Sequence, residues 1–182
     1  MVRRVVILVV TGVSLLVMTA GIAAGHGWEG RSAKAVLHDA DGHRVGVVKL
    51  TEVSGGIRVR ADVHGLSAGF HGFHVHAVGD CTPPFTSALG HFNPAGADHP
   101  AHAADMPVLL VNADGTGLAR FVTDRYTMAD VIGRALIIHA GPDNYANIPT
   151  RYVATGPDAT TLATGDAGAR AACGVVKSGV RD

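Results

Sequence analysis

Residues 72–81 read GFHVHAVGDC and hold two histidines one residue apart, His74 and His76. In a β-strand, positions i and i+2 point to the same face, so the two imidazoles would stand side by side. That is half of a metal site. Further potential ligands follow: His91 in GHFNP, then His99 and His102 with Asp105 three residues on, and far along the chain His139, which ends the apolar run ALIIH. His74, His76 and a distant strand-end histidine could line one wall with three imidazoles. His99, His102 and Asp105 could clasp a second ion with nitrogen and oxygen donors. A histidine between the two groups could bridge both ions through its two nitrogens once deprotonated. Imidazole suits copper and zinc, and His with Asp in a tetrahedral set suits zinc. Each fragment alone carries little, because His-x-His arises in strands by chance and a histidine closing an apolar run is commonly a core residue. Together they carry weight, because all fall at strand ends or in one long loop. The remaining histidines, at 26, 38, 43, 64 and 71, read as solvent-facing or hydrogen-bonding residues.

Short strands must position these side chains. AKAVLHDADGHRVGVVKLTEV has two apolar runs around Asp41-Gly42, a hairpin turn signal. GIRVRADVHGL alternates Ile57, Val59, Ala61 and Val63 against Arg58, Arg60, Asp62 and His64, which is period two with one wet face. MPVLLVNADGTGLARFVTD reads as a second hairpin, turned at Asp114-Gly115, and Ala135–Ile138 as a buried strand. Thr127 could cap a helical turn in YTMADVIGRA. Residues 77–104 and 140–169 read as two long loops, and loops of that length are normally functional. Seven or eight short strands without a strong amphipathic helix predict an all-β fold, an antiparallel sandwich or Greek-key barrel.

The 182 residues suffice for one domain with its own core. Formal net charge is zero, which gives no support to a nucleic-acid partner. MVRR followed by an apolar run from Val5 to Ala24 and small residues has the order of a secretory signal. Residues 1–31 are therefore expected to be a signal and linker, and 32–182 the barrel domain. The competing reading is an uncleaved anchor and membrane association through that segment. Export to the periplasm, envelope or exterior favours a bridge between the two cysteines, Cys81 and Cys173, whereas a cytosolic chain would keep them as buried thiols. Apolar strand faces at an interface look like core, so a homodimer stays open.

The motifs GFHVH, GDC, GHFNP, HAAD, IIHAG and GDAGARAACGV, in that order from about Lys34 to Val176, resemble the copper–zinc superoxide dismutases, particularly exported actinobacterial forms. The resemblance implies an eight-stranded Greek-key barrel and the dismutation of superoxide to dioxygen and hydrogen peroxide. It implies copper on His74, His76, His91 and His139, and zinc on His91, His99, His102 and Asp105. It further implies a Cys81–Cys173 disulfide, an anion-guiding Arg170, a carboxylate at Asp143 linking a copper histidine to a zinc histidine, and a channel-wall Thr164. His91 would also pass a proton to the peroxide being formed. One departure is that only Pro100 and Ala101 separate His99 from His102, where most members have a longer segment, and Ala104 replaces a usual glycine. The departure predicts a tighter zinc loop than the family's usual one. The alternatives are an exported copper-binding or storage protein on the same barrel, or a copper-only dismutase.

Overall fold

Alternating apolar residues become strands whose inner face is the core. The computed structural model describes residues 30–179; the apolar run expected to direct export lies outside the described residues. The strands are β1 (Ser32–His38), β2 (Arg44–Val53), β3 (Gly56–Val63), β4 (Gly69–His71), β5 (Phe73–His76), β6 (Leu109–Val111), β7 (Gly117–Thr123), β8 (Ala135–His139), β9 (Arg170–Val175) and β10 (Lys177–Ser178). They pair in the order β4-β6-β7-β3-β2-β1-β9-β8-β5, with β10 against β1 and every ladder antiparallel. On β3, Ile57, Val59, Ala61 and Val63 are buried, as the period predicts. They meet Leu37, Leu50, Phe73, Leu136 and Ile138 in one core.

The architecture is the expected all-β barrel, with ten strands where eight were expected. Two breaks account for the difference. At Gly72 the chain changes partner: its N–H donates to Gly141 and its carbonyl accepts from His139, so β4 stays with β6 while β5 goes to β8. A Cβ at Gly72 would lie 2.6 Å from that of Ala167, so only glycine fits there. At Val176 the backbone turns aside to pair with Arg134, separating β9 from β10. Joined across these breaks, the strands number eight. Because β4 and β5 end the pairing path yet adjoin in sequence, the chain itself closes the barrel.

The region 140–169 is not a bare loop. It holds the helix α2 (Ala159–Thr164), which follows the four-residue α1 (Met128–Val131) in the chain. On α1, Thr127 and Asp130 form a reciprocal capping box, as the threonine suggested. On α2, Asp158 accepts from the Thr161 N–H at 2.8 Å, and Gly165 ends the helix in the left-handed region. Among the described residues, no helix is long and apolar enough to cross a membrane.

Candidate metal centre

β8 is buried along its whole length, although only one of its faces meets the barrel core. Leu136 and Ile138 point inward, and Ala135, Ile137 and His139 point outward. β5 pairs with it so that His74 stands opposite Ile137 and His76 opposite Ala135. Residue parity therefore puts His74, His76 and His139 on the outside of the barrel, under the two long loops. The free edge of β5 is covered by the loop carrying His91 and Asp105: Phe92 N–H donates to Val75 at 2.9 Å, and Val75 N–H donates to Ala104 at 3.3 Å. Ala104 is fully buried there, so the methyl group that replaces the usual glycine is accommodated.

Two donor sets result. One ligand atom each from His74, His76, His91 and His139 lie within 4.8 Å of one another, and so do one each from His91, His99, His102 and Asp105. A tetrahedral zinc or copper site with bonds near 2.0–2.1 Å spaces its donors by roughly 3.3 Å, which these sets approach. The donors are also left wanting a partner. His74 Nδ1, His91 Nε2 and His99 Nδ1 are buried with no hydrogen bond. His99 Nδ1 lies 2.9 Å from Asp105 Oδ2 but out of line for a hydrogen bond, as expected of two atoms aimed at a common third point. His91 Nδ1 lies 2.9 Å from Asp105 Oδ1 and 3.1 Å from His102 Nδ1, leaving its Nε2 for the other set. His76 Nε2 and His139 Nε2 approach to 3.2 Å. The short His99–His102 spacing thus does not prevent four donors from converging. Arg125 spans the tight turn, donating to the carbonyls of Pro100 at 2.7 Å and His102 at 3.2 Å.

Asp143 joins the two sets. Its Oδ2 accepts from His74 Nε2 at 2.7 Å, and its Oδ1 meets His99 Nε2 at 2.8 Å and the Tyr145 N–H at 2.7 Å. Those nitrogens are occupied, so His74, His99 and Asp143 form a link between sets and not a third ion site. Gly165 presses on this link so closely that a Cβ would strike both the Asp143 carboxylate and the His99 ring. Tyr145 stacks on His99 with centroids 6.3 Å apart, and its hydroxyl accepts from the Val108 N–H at 2.8 Å. The sequence carried no signal for the parts played by Arg125, Tyr145 and Gly165. His71, expected to face solvent or to hydrogen-bond, does the second: buried, it spans the carbonyls of His139 at 2.7 Å and Ser67 at 2.8 Å.

Burial holds His74, His76 and His139 neutral and ready for a metal. It lowers His74 to about 4, His76 to about 2 and His139 to about 3, against an ordinary value of 6.5. The charge of Arg170 adds to the effect on His76 and His139. In the second set burial lowers His102, whereas His99 asks for positive charge. Burial opposes a proton on His99, but the Asp105 and Asp143 carboxylates outweigh it and push His99 up to about 9. Burial pushes both carboxyls up, yet the histidines against them win and hold both well below the usual carboxylate range.

Cys81 and Cys173 are bridged. The bridge ties the loop after β5 to β9, where Phe85 and Ala88 pack with Ala135 and Ile137 in a small second core. Arg170, at the start of β9, donates to the backbone carbonyls of Phe85 and Leu89 in that loop. His76 Nδ1 donates to the same Leu89 carbonyl at 2.7 Å. Thr164 lies on α2, its hydroxyl donating to Thr160 at 2.8 Å and accepting from the Asp166 N–H at 3.2 Å.

This barrel, with two histidine-rich sets joined by a carboxylate and roofed by a disulfide-tied loop, coincides with what known proteins record. A family model described as copper/zinc superoxide dismutase matches residues 44–176. The chain is 40% identical to the Cu-Zn superoxide dismutase of Mycobacterium tuberculosis, over 86% of this chain and 75% of that one. It is 42% identical to that of Mycolicibacterium paratuberculosis, over 79% and 73%. The Cu/Zn superoxide dismutase of Brucella abortus superimposes with a TM-score of 0.66 and 32% identity, covering 79% of this chain and 98% of its own. The chain belongs to the copper/zinc superoxide dismutases, oxidoreductases whose metals are copper and zinc.

Proposed function

We propose that His74, His76, His91 and His139 hold copper, that His91, His99, His102 and Asp105 hold zinc, and that Arg170 guides superoxide to the copper side. The observation that carries this reading is the set of buried, unpartnered nitrogens on His74, His91 and His99, each aimed into one of two converging donor sets. Bound copper supplies the one-electron chemistry by which two superoxide ions and two protons become dioxygen and hydrogen peroxide. The chain's own residues do the rest. Arg170 offers a fixed cation to a small anion, its guanidinium held by Phe85 and Leu89 so that little reorganisation is needed. His91 has one nitrogen in each set, so Nε2 can take up a proton and release it while Nδ1 stays engaged beside Asp105 and His102. Asp143 orients His74 and His99 from behind. The fixed arginine favours turnover over copper storage, which has no use for an anion guide.

Export supports the same reading: the apolar run Val5–Ala24 has the form of a signal, and a disulfide persists in oxidising compartments. Residues 1–31 then serve as signal and linker, and 32–182 as the catalytic domain. The test is metal analysis of the purified protein together with superoxide consumption. Copper and zinc are expected in equal amounts, and His139→Ala is expected to lower copper occupancy and abolish activity while the barrel's circular dichroism persists. Full activity in His139→Ala would refute the copper assignment.

A further inference from the structure

The metal chemistry makes no use of a feature on the opposite run of the barrel. Lys177 stands opposite Lys34, Lys34 opposite Lys49, Lys49 opposite Arg60, and Arg60 opposite Arg120. Residues directly opposite share a face, so these side chains form one row across β10, β1, β2, β3 and β7. All are exposed. With strands about 4.8 Å apart, the row is roughly 19 Å long. It contains every lysine of a chain whose formal net charge is zero.

Like charges placed directly opposite one another cost stability, and here the cost recurs at each strand pair. Edge lysines guard sheets against edge-to-edge pairing, but β1, β2 and β3 are interior strands. Among the outward residues of β1, β2, β3 and β7 the one acid is Asp62, which reaches Arg60 at 3.6 Å. Among the described residues, Lys34, Lys49, Arg120 and Lys177 have no ion pair.

We propose that this row is a docking track for a linear anionic polysaccharide, with carboxylates repeating on the scale of the strand spacing, about 5 Å. Charge complementarity sets the partner's sign, and the single file of cations sets its shape. A single-stranded nucleic acid would call for aromatic platforms, and the outward neighbours of the row (Val36, Val47, Thr51, Leu118 and Val122) include none. A bilayer surface would be matched by a broad patch with large apolar side chains to insert.

The metal-loaded protein is titrated with alginate, a linear polyuronate, over a range of salt concentrations, and in parallel with phosphatidylglycerol vesicles and oligo(dT). Alginate is expected to bind at low salt and to weaken steeply as salt rises. Lys49→Glu combined with Arg60→Glu should weaken it at least about tenfold and reduce the salt slope by about two. Acetylating the lysines of the folded protein should weaken it likewise, which keeps the test open if the double variant folds poorly. Arg151→Ala, off the row, should leave binding unchanged, and superoxide consumption should be unaffected throughout. The proposal is overturned if alginate fails to bind at low salt, if neither the double variant nor acetylation weakens it, or if vesicles or oligo(dT) bind more tightly.

Discussion

Arg170 is a cation whose place is set by carbonyl oxygens and not by an acid. Its donors go to Phe85 and Leu89, so its charge is not cancelled by a carboxylate and its field reaches His76 and His139. Reversing that charge should therefore matter more than removing it. Arg170→Glu is expected to consume superoxide on the order of tenfold more slowly than Arg170→Ala. Added salt should slow the wild type and relieve the Glu variant, since it screens attraction in one and repulsion in the other. Copper content should match wild type in both. Wild-type speed in fully loaded Arg170→Glu would leave Arg170 a purely structural part.

His99 supplies a second expectation at this scale. In the metal-free protein its two carboxylate neighbours raise it to about 9 against the pull of burial, so it is protonated at neutral pH. A zinc ion must displace that proton. Because the protonated form predominates below about 9, zinc affinity should rise by about tenfold per pH unit toward that value and then level off. Competition against a chromophoric chelator between pH 6 and 10 measures this, and a flat profile from pH 7 to 9 would show that His99 meets zinc already neutral.

At the scale of elements, the disulfide and the arginine form one device. The bridge closes a separation of 92 residues, for which the chain-entropy model gives about 4–5 kcal/mol. It also pins the loop whose carbonyls hold Arg170. Cys81→Ser is thus expected to lower the melting temperature and, below it, to reduce the rate with superoxide while copper stays bound. Lower stability with an unchanged rate per copper would mean that the loop holds its shape without the bridge. Strands with a clean period of two were legible in the sequence, and so was the Thr127 cap, because local residues decide both. The partner change at Gly72 was not, because it depends on Ala167 pressing from a distant segment. α2 was passed over although Asp158 and Gly165 bracket it, since six residues are too few to show a helical period. The residue types of the two candidate donor sets and their order along the chain were readable. How a two-residue spacer lets His99 and His102 converge with Asp105 was not, because Arg125, which spans that turn, lies after β7.

Across the whole molecule, barrel and metal centre are separable layers. The core fills the inside, and the histidine sets sit outside β5 and β8 under long loops. Removing both metals should therefore loosen the loops before the barrel. Hydrogen exchange is expected to quicken in residues 77–108 and 140–169 on chelation while β2, β3 and β7 keep their protection. Equal loss of protection everywhere would show that the metals hold the barrel itself. The covered edge of β5 belongs to this layer as well, since the segments that cover it carry His91 and Asp105.

The gathering of every lysine into one row has a practical side. Apart from the chain's N-terminal amine, all primary amines lie on the β10-β1-β2-β3-β7 run, whereas the histidine sets lie over β5 and β8. A surface bearing amine-reactive groups would capture the protein in nearly one orientation, its redox pocket turned toward the solution. A film made that way would behave as a nearly uniform population, with the molecules held through these lysines presenting the same approach to a diffusing anion.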